Sequence, residues 1–121
     1  MKQSPTICIV DDDDDVRASL KNFLRSVGMI VRAFGSAESF LAEPDRSGID
    51  CLITDLHMPG IDGLGLQEEL NRLGRDFPVI VMTAYPTTAA REQSARLGAS
   101  AFLAKPLDPD LLLERVEEIL A

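Results

Sequence analysis

The chain has 121 residues, 45% of them hydrophobic, enough material for one compact domain, taken here as 1–121, with a real core. Twenty acidic residues against twelve basic ones give a formal charge of −8, which repels nucleic-acid phosphates and makes cations the expected inorganic partner. The start MKQSPTICIV has no apolar stretch of signal-peptide length and no run approaches the roughly 20 residues of a membrane span, so a cytoplasmic domain without membrane contact is expected.

In chain order, Thr6–Val10 reads as a short apolar strand that ends at Asp11 and Asp12. A helix follows, with Val16, Leu20, Phe23, Leu24 and Val27 at helical spacing and Gly28 as its stop. Ile30–Phe34 is the second strand, and Ser36 is the N-cap of a short helix that turns Ala37, Phe40 and Leu41 inward, with Pro44 just beyond. The third strand, over 49–54, delivers Asp55 into the loop LHMPGIDG, where Pro59, Gly60 and Gly63 are turn residues. Leu66, Leu70 and Leu73 mark the third helix. The fourth strand spans 79–82 and ends at Thr83; Thr87 or Thr88 then caps a helix carrying Ala90, Ser94, Ala95 and Leu97, stopped by Gly98. Ala101–Ala104 is the fifth strand and runs into Lys105 and Pro106. Asp108 as N-cap and Pro109 at the first helical position open a last helix with Leu112, Val116 and Ile119 as its apolar stripe. Cys8 and Cys51 lie in apolar strand-like runs without CxxC or Cys/His spacing, which favours buried free thiols over a disulfide.

Strands apolar on both faces, alternating with helices, define an α/β fold: a (βα)5 doubly wound parallel sheet. In such a sheet ligands bind outside the carboxyl ends of the strands, at a switch point in strand order. Four runs end there in charged or reactive groups: Asp11 with Asp12, Asp55, Thr83 and Lys105. Three carboxylates facing one ammonium and one hydroxyl suit a hard divalent cation together with a phosphoryl group. An acidic run that complements a helix dipole accounts for Asp13, Asp14 and Asp15. It accounts less well for Asp11 and Asp12, whose like charges raise each other's pKa unless a cation lies between them. A strand-end Lys or Thr is ordinarily a solvated surface residue, and only convergence with the three Asp residues reverses that reading. His57, the single histidine, has no His or Cys partner for a transition-metal site.

With Asp11–Asp12 after the first strand, Asp55 in TDLHMPGIDG, Thr83 in VIVMTAY and Lys105–Pro106 in AFLAKPL, the chain resembles the receiver domains of bacterial two-component response regulators over residues 5 to 121. DDDDDVRASL, FGSAESFLA and GASAFLAKPL are most similar to the FixJ-type subgroup, whose full-length members carry a C-terminal helix-turn-helix. The resemblance implies a flavodoxin-like strand order, 2-1-3-4-5. It implies that Asp55 is the phosphoacceptor, attacking a phosphohistidine of a sensor histidine kinase to form an acyl phosphate. It further implies Mg²⁺, with Mn²⁺ able to substitute, held by Asp12, Asp55 and the backbone carbonyl of His57, while Asp11 holds a metal-bound water. Lys105 and Thr83 would each take a phosphoryl oxygen, and the Lys105–Pro106 bond would be cis.

Phe102 matches the switch aromatic that turns inward when Thr83 moves; an ordinary core Phe is the equal alternative. Gly63 matches the glycine beyond the acceptor loop, or is a plain helix-start turn. His57 and Tyr85 would flank the phosphoryl group and slow its loss to water. Output would pass through the face made by the fourth helix, fifth strand and fifth helix, where many receivers form homodimers on phosphorylation, toward transcription regulation by a separate effector. Ala101 stands where winged-helix relatives tend to carry an acidic residue, which argues against that dimer type. Kinase docking maps onto Val16, Ser19, Pro106 and Leu107, although Val16 also fits the core stripe. The chain would thus be a signalling switch that catalyses its own phosphorylation and dephosphorylation rather than an enzyme, with no direct nucleic-acid binding of its own.

Two other functions share parts of this pattern. Haloacid-dehalogenase-like phosphatases use an Asp nucleophile, Mg²⁺, Ser/Thr and Lys on a similar sheet, but need a second Asp two residues after the nucleophile, where this chain has His57. A pseudo-receiver, an interaction module independent of phosphorylation, usually lacks an acidic pair, acceptor or Lys, all of which are present here.

Overall fold

Runs rich in Ile, Val, Leu and Met form five parallel strands in the computed structural model, which describes residues 4–121. They are β1 (Thr6–Val10), β2 (Ile30–Phe34), β3 (Cys51–Asp55), β4 (Val79–Thr83) and β5 (Ala101–Ala104), in the order β2-β1-β3-β4-β5. The helices α1 (Asp14–Ser26), α2 (Ala37–Leu41), α3 (Gly63–Arg72), α4 (Thr88–Arg96) and α5 (Pro109–Leu120) alternate with them. Residues 1–3, with which the expected domain begins, lie outside the described residues. Because β1 pairs with β2 on one side and β3 on the other, strand order reverses between β1 and β3.

Side chains alternate across the sheet and build two apolar layers. Cys8, Val10, Leu52, Val79 and Val81 pack with Phe40 of α2 and Leu66 and Leu70 of α3. Ile7, Ile9, Ile53, Ile80 and Met82 pack with Leu20 and Leu24 of α1 and Leu112 and Val116 of α5. Each fully buried aliphatic side chain contributes about 1.5–3 kcal/mol, so these layers dominate the stability of the fold. Ile7 stands opposite Cys51, which sends the Cys8 and Cys51 thiols to opposite faces. Both are free and buried, and burial pushes their pKa values up to about 11 and about 12 respectively.

Helix starts follow local chemistry. Ser36, Thr87 and Asp108 accept hydrogen bonds from the amides of Ser39, Ala90 and Asp110, and Asp13 accepts from those of Asp15 and Val16. Thr87, not Thr88, is therefore the cap of α4. Helix ends depart more from the periodic pattern. Val27 and Leu73 are 41% and 48% exposed because each is a C-cap, where the chain leaves the helical path before the side chain can turn inward. Leu97 is likewise the C-cap of α4, and Ala95 is exposed; Ser94 is the buried residue of that helix. Strand β3 begins at Cys51 rather than at 49, since Asp50 is engaged with Thr6: Thr6 N donates to Asp50 Oδ2 at 2.8 Å and Asp50 N to Thr6 O at 2.9 Å. At its other end β3 includes Asp55, as β4 includes Thr83.

Candidate functional site

Backbone hydrogen bonds carry the sheet's order one step past the strands. Asp11 N donates to Phe34 O (3.1 Å), Leu56 N to Met82 O (2.8 Å) and Lys105 N to Thr83 O (2.8 Å). The residues at the carboxyl edge are thereby held as firmly as the strands that precede them. Asp11 and Asp55 are buried and Asp12 is exposed, and carboxylate oxygens of all three lie within 4.8 Å of one another. Lys105 Nζ reaches across to them, 2.9 Å from Asp11 Oδ2 and 3.3 Å from Asp55 Oδ1. The second oxygen of Asp11 accepts from Asp13 N at 2.9 Å, and Asp55 Oδ1 also accepts from Leu56 N at 3.0 Å.

Charge in this cluster is unbalanced. Burial raises the pKa of Asp55, the negative charge of Asp11 raises it further, and Lys105 only partly offsets them. Burial works against the Lys105 ammonium, yet its hydrogen bond to Asp11 and the charges of Asp11 and Asp55 outweigh it and raise its pKa. Three carboxylates against one ammonium leave an excess of negative charge on oxygen donors alone. That donor set fits a hard divalent cation such as Mg²⁺ and offers no nitrogen or sulfur ligand to a softer metal.

The remaining predicted residues lie on β4 and β5, on the loops that leave the strands, and on α1 and α3. Thr83 is buried, one residue beyond the Met82 that pairs with Asp55; its hydroxyl accepts from Tyr85 N at 3.0 Å and keeps its own proton to donate. His57 is exposed and sets its ring edge-on to that of Tyr85, with centroids 6.1 Å apart, so its side chain lies outside the acidic cluster. Phe102 is half-buried, and the Arg91 guanidinium covers its ring at 4.9 Å. The Lys105–Pro106 bond is cis. Gly63 opens α3 directly beneath the acceptor: a Cβ there would meet Asp55 O at 2.6 Å. Beside Lys105 an apolar groove of about 280 Å³ is lined by Val16, Ser19, Leu20, Phe23, Pro106 and Leu107, among others.

Three groups of contacts had no counterpart in the sequence reading. Arg17 donates to the Asp11 carbonyl at 2.7 Å and pairs with Asp14, an i, i+3 spacing that could have been noticed. Glu38 of α2 accepts from Ile61 N at 3.2 Å, a contact between distant segments that no local pattern signals. Gln67, Asn71 and Arg75 donate to the carbonyls of Ser94, Leu97 and Gly98, fastening the C-terminal end of α4 to α3 and the segment after it.

A doubly wound sheet with an acidic cluster, a lysine and a threonine at its switch-point edge has the arrangement expected of a receiver-type signalling domain. Residues 7–117 match the family model of the response regulator receiver domain, and the chain belongs to that family. It is 40% identical to the transcriptional regulatory protein FixJ of Azorhizobium caulinodans over 96% of this chain and 55% of that protein. It is 34% identical to the response regulator protein TodT of Pseudomonas putida over 98% of this chain and 52% of that protein. The chain thus spans about half the length of the curated relatives it matches. Among solved structures, the crystal structure of FixJ-N superposes with a TM-score of 0.88 at 35% identity, covering 98% of this chain and 95% of that one. Among the described residues no helix is long and apolar enough to cross a membrane.

Proposed function

We propose that Asp55 is the phosphoacceptor of a two-component signalling switch, loaded from a phosphohistidine of a sensor histidine kinase in the cytoplasm, and that the resulting acyl phosphate controls a transcriptional output. The observation that carries this reading is the placement of Asp55: a buried strand-end carboxylate 3.3 Å from Lys105 and within 4.8 Å of two further carboxylates. In the transfer, an Asp55 oxygen forms a bond to phosphorus as the phosphorus–nitrogen bond of phosphohistidine breaks and the imidazole leaves.

Asp12, Asp55 and the His57 carbonyl would hold Mg²⁺, or Mn²⁺ in its place, with Asp11 holding a water of the ion. Bound there, the ion would neutralise charge on the phosphoryl oxygens and draw them toward the acceptor. Lys105, already beside Asp55, is placed to transfer one of its hydrogen bonds to a phosphoryl oxygen. The Thr83 hydroxyl has its proton to give to another. Movement of Thr83 would let Phe102 turn from beneath Arg91, altering the face formed by α4, β5 and α5, through which two copies would associate. The apolar groove between α1 and the segment 105–109 lies next to Lys105 and suits docking of a kinase helix through Val16, Ser19, Pro106 and Leu107.

Incubation with acetyl phosphate or phosphoramidate, with and without Mg²⁺, tests the reading by intact mass. The expected result is a metal-dependent gain of one phosphoryl group that Asp55→Ala abolishes. No gain under either condition overturns it in favour of a phosphorylation-independent interaction module, and rapid donor turnover without an adduct would favour a phosphatase.

A further inference from the structure

The loop from 56 to 62 carries His57 between Asp55 and α3, and its base is closed by Gly63 N donating to Leu56 O at 2.8 Å. Its far end is held differently. Met58 is buried and Ile61 partly buried, both against the apolar layer that includes Phe40 of α2. Ile61 N donates to Glu38 Oε2, a carboxylate 23 positions earlier on the first turn of α2. Gly60 makes room for that carboxylate: its φ is +75°, and a Cβ on it would lie 2.1 Å from Glu38 Oε2. An amide, a left-handed glycine and two apolar anchors thus converge where α2 meets the loop tip.

We propose that Glu38 is a positioning residue for the acceptor loop: its carboxylate ties the Gly60–Ile61 peptide to α2 and so sets where the His57 carbonyl stands relative to Asp55. The inference rests on the reading of that carbonyl as part of the cation site. Glu38 touches neither the acceptor nor the cation; it acts through the peptide it holds. A carboxylate accepting from a backbone amide makes a charge-assisted hydrogen bond, stronger than a neutral pair. Removing it leaves the loop tip with only its apolar contacts to resist opening.

Two measurements on the intact chain decide the matter, with wild type, Glu38→Ala and Glu38→Gln compared. Hydrogen exchange at the Ile61 amide is read without metal, and Mg²⁺ affinity is read by calorimetry. In Glu38→Ala, exchange at Ile61 should accelerate on the order of tenfold with the sheet amides unchanged, since only local opening is eased. Mg²⁺ should bind about fivefold more weakly, the scale of one lost hydrogen bond. Glu38→Gln, which keeps an acceptor oxygen, should recover most of both. Unchanged Ile61 exchange overturns the tether, and faster exchange with unaltered Mg²⁺ affinity overturns its positioning role. Wild-type protein that binds no Mg²⁺ and gains no phosphoryl group refutes the phosphoacceptor reading instead, with the Ile61 exchange still reporting on the tether separately.

Discussion

Lys105 and Asp11, 94 residues apart in sequence, are joined side chain to side chain across the carboxyl edge of the sheet, 2.9 Å from Nζ to Oδ2, with Asp11 wholly buried and the Lys105 side chain 16% exposed. Removing one partner of such a pair leaves the other charge buried and uncompensated. Lys105→Met should therefore destabilise the metal-free protein by about 2–4 kcal/mol in urea titration. Added Mg²⁺ should recover part of the loss, because the variant's carboxylates then share a cation again.

Asp55 has the opposite sign. Its folded pKa lies above the ordinary 3.8, so the folded state holds its proton more tightly than the unfolded chain does. The stability this group contributes is fully present below the unfolded pKa and is lost as pH rises through the folded value. At neutral pH without metal, Asp55→Asn should melt a few degrees above wild type. The gap should close as the pH is lowered toward 3.8, which melting curves across the acid range in chelator would show. An equal gap at all pH values would mean that Asp55 is not the strained carboxylate.

Gly63 admits no side chain without displacing the acceptor strand, since the contact is with backbone at Asp55 and Leu56 rather than with a yielding side chain. Gly63→Ala should cost about 1–3 kcal/mol in denaturant midpoint, in the range of overpacked cores. It should also slow phosphorylation by acetyl phosphate, because Asp55 moves with its carbonyl.

Tyr85 is 74% exposed, and its ring stands edge-on to that of His57. If the two rings flank the acyl phosphate and keep water from it, Tyr85→Ala should shorten the phosphorylated lifetime several-fold, measured by loss of the added mass after donor removal. An unchanged lifetime removes the shielding role.

Most of the architecture was legible because it depends on short-range chemistry. Strand alternation, Ser36 and the Asp108–Pro109 pair each state their role within a few residues, and four strand ends carrying Asp, Thr or Lys imply a shared edge once the sheet is parallel. Helix ends were less legible: Val27 and Leu73 continue the apolar spacing past the point where backbone geometry stops it, and spacing alone does not register a C-cap. The strand boundary at Asp50 was hidden for a related reason, since its carboxylate answers to Thr6 on another strand. At the site, residue types announced the acidic cluster, but not its pairing geometry or the hold of Glu38 on Ile61, which exist only after distant segments have packed.

The sheet order places β3 and β4 between β1 and β5, the two strands whose ends supply Asp11 and Lys105. No contiguous portion of the chain shorter than the span between those residues contains both, and the sheet brings them together only with β1, β3, β4 and β5 in place. The Lys105 contact at this edge consequently depends on β5, the last strand in the chain. The three carboxylates, by contrast, come from the ends of β1 and β3 alone, so the edge gathers its negative charge from neighbouring strands and Lys105 is the group whose arrival registers completion of the sheet.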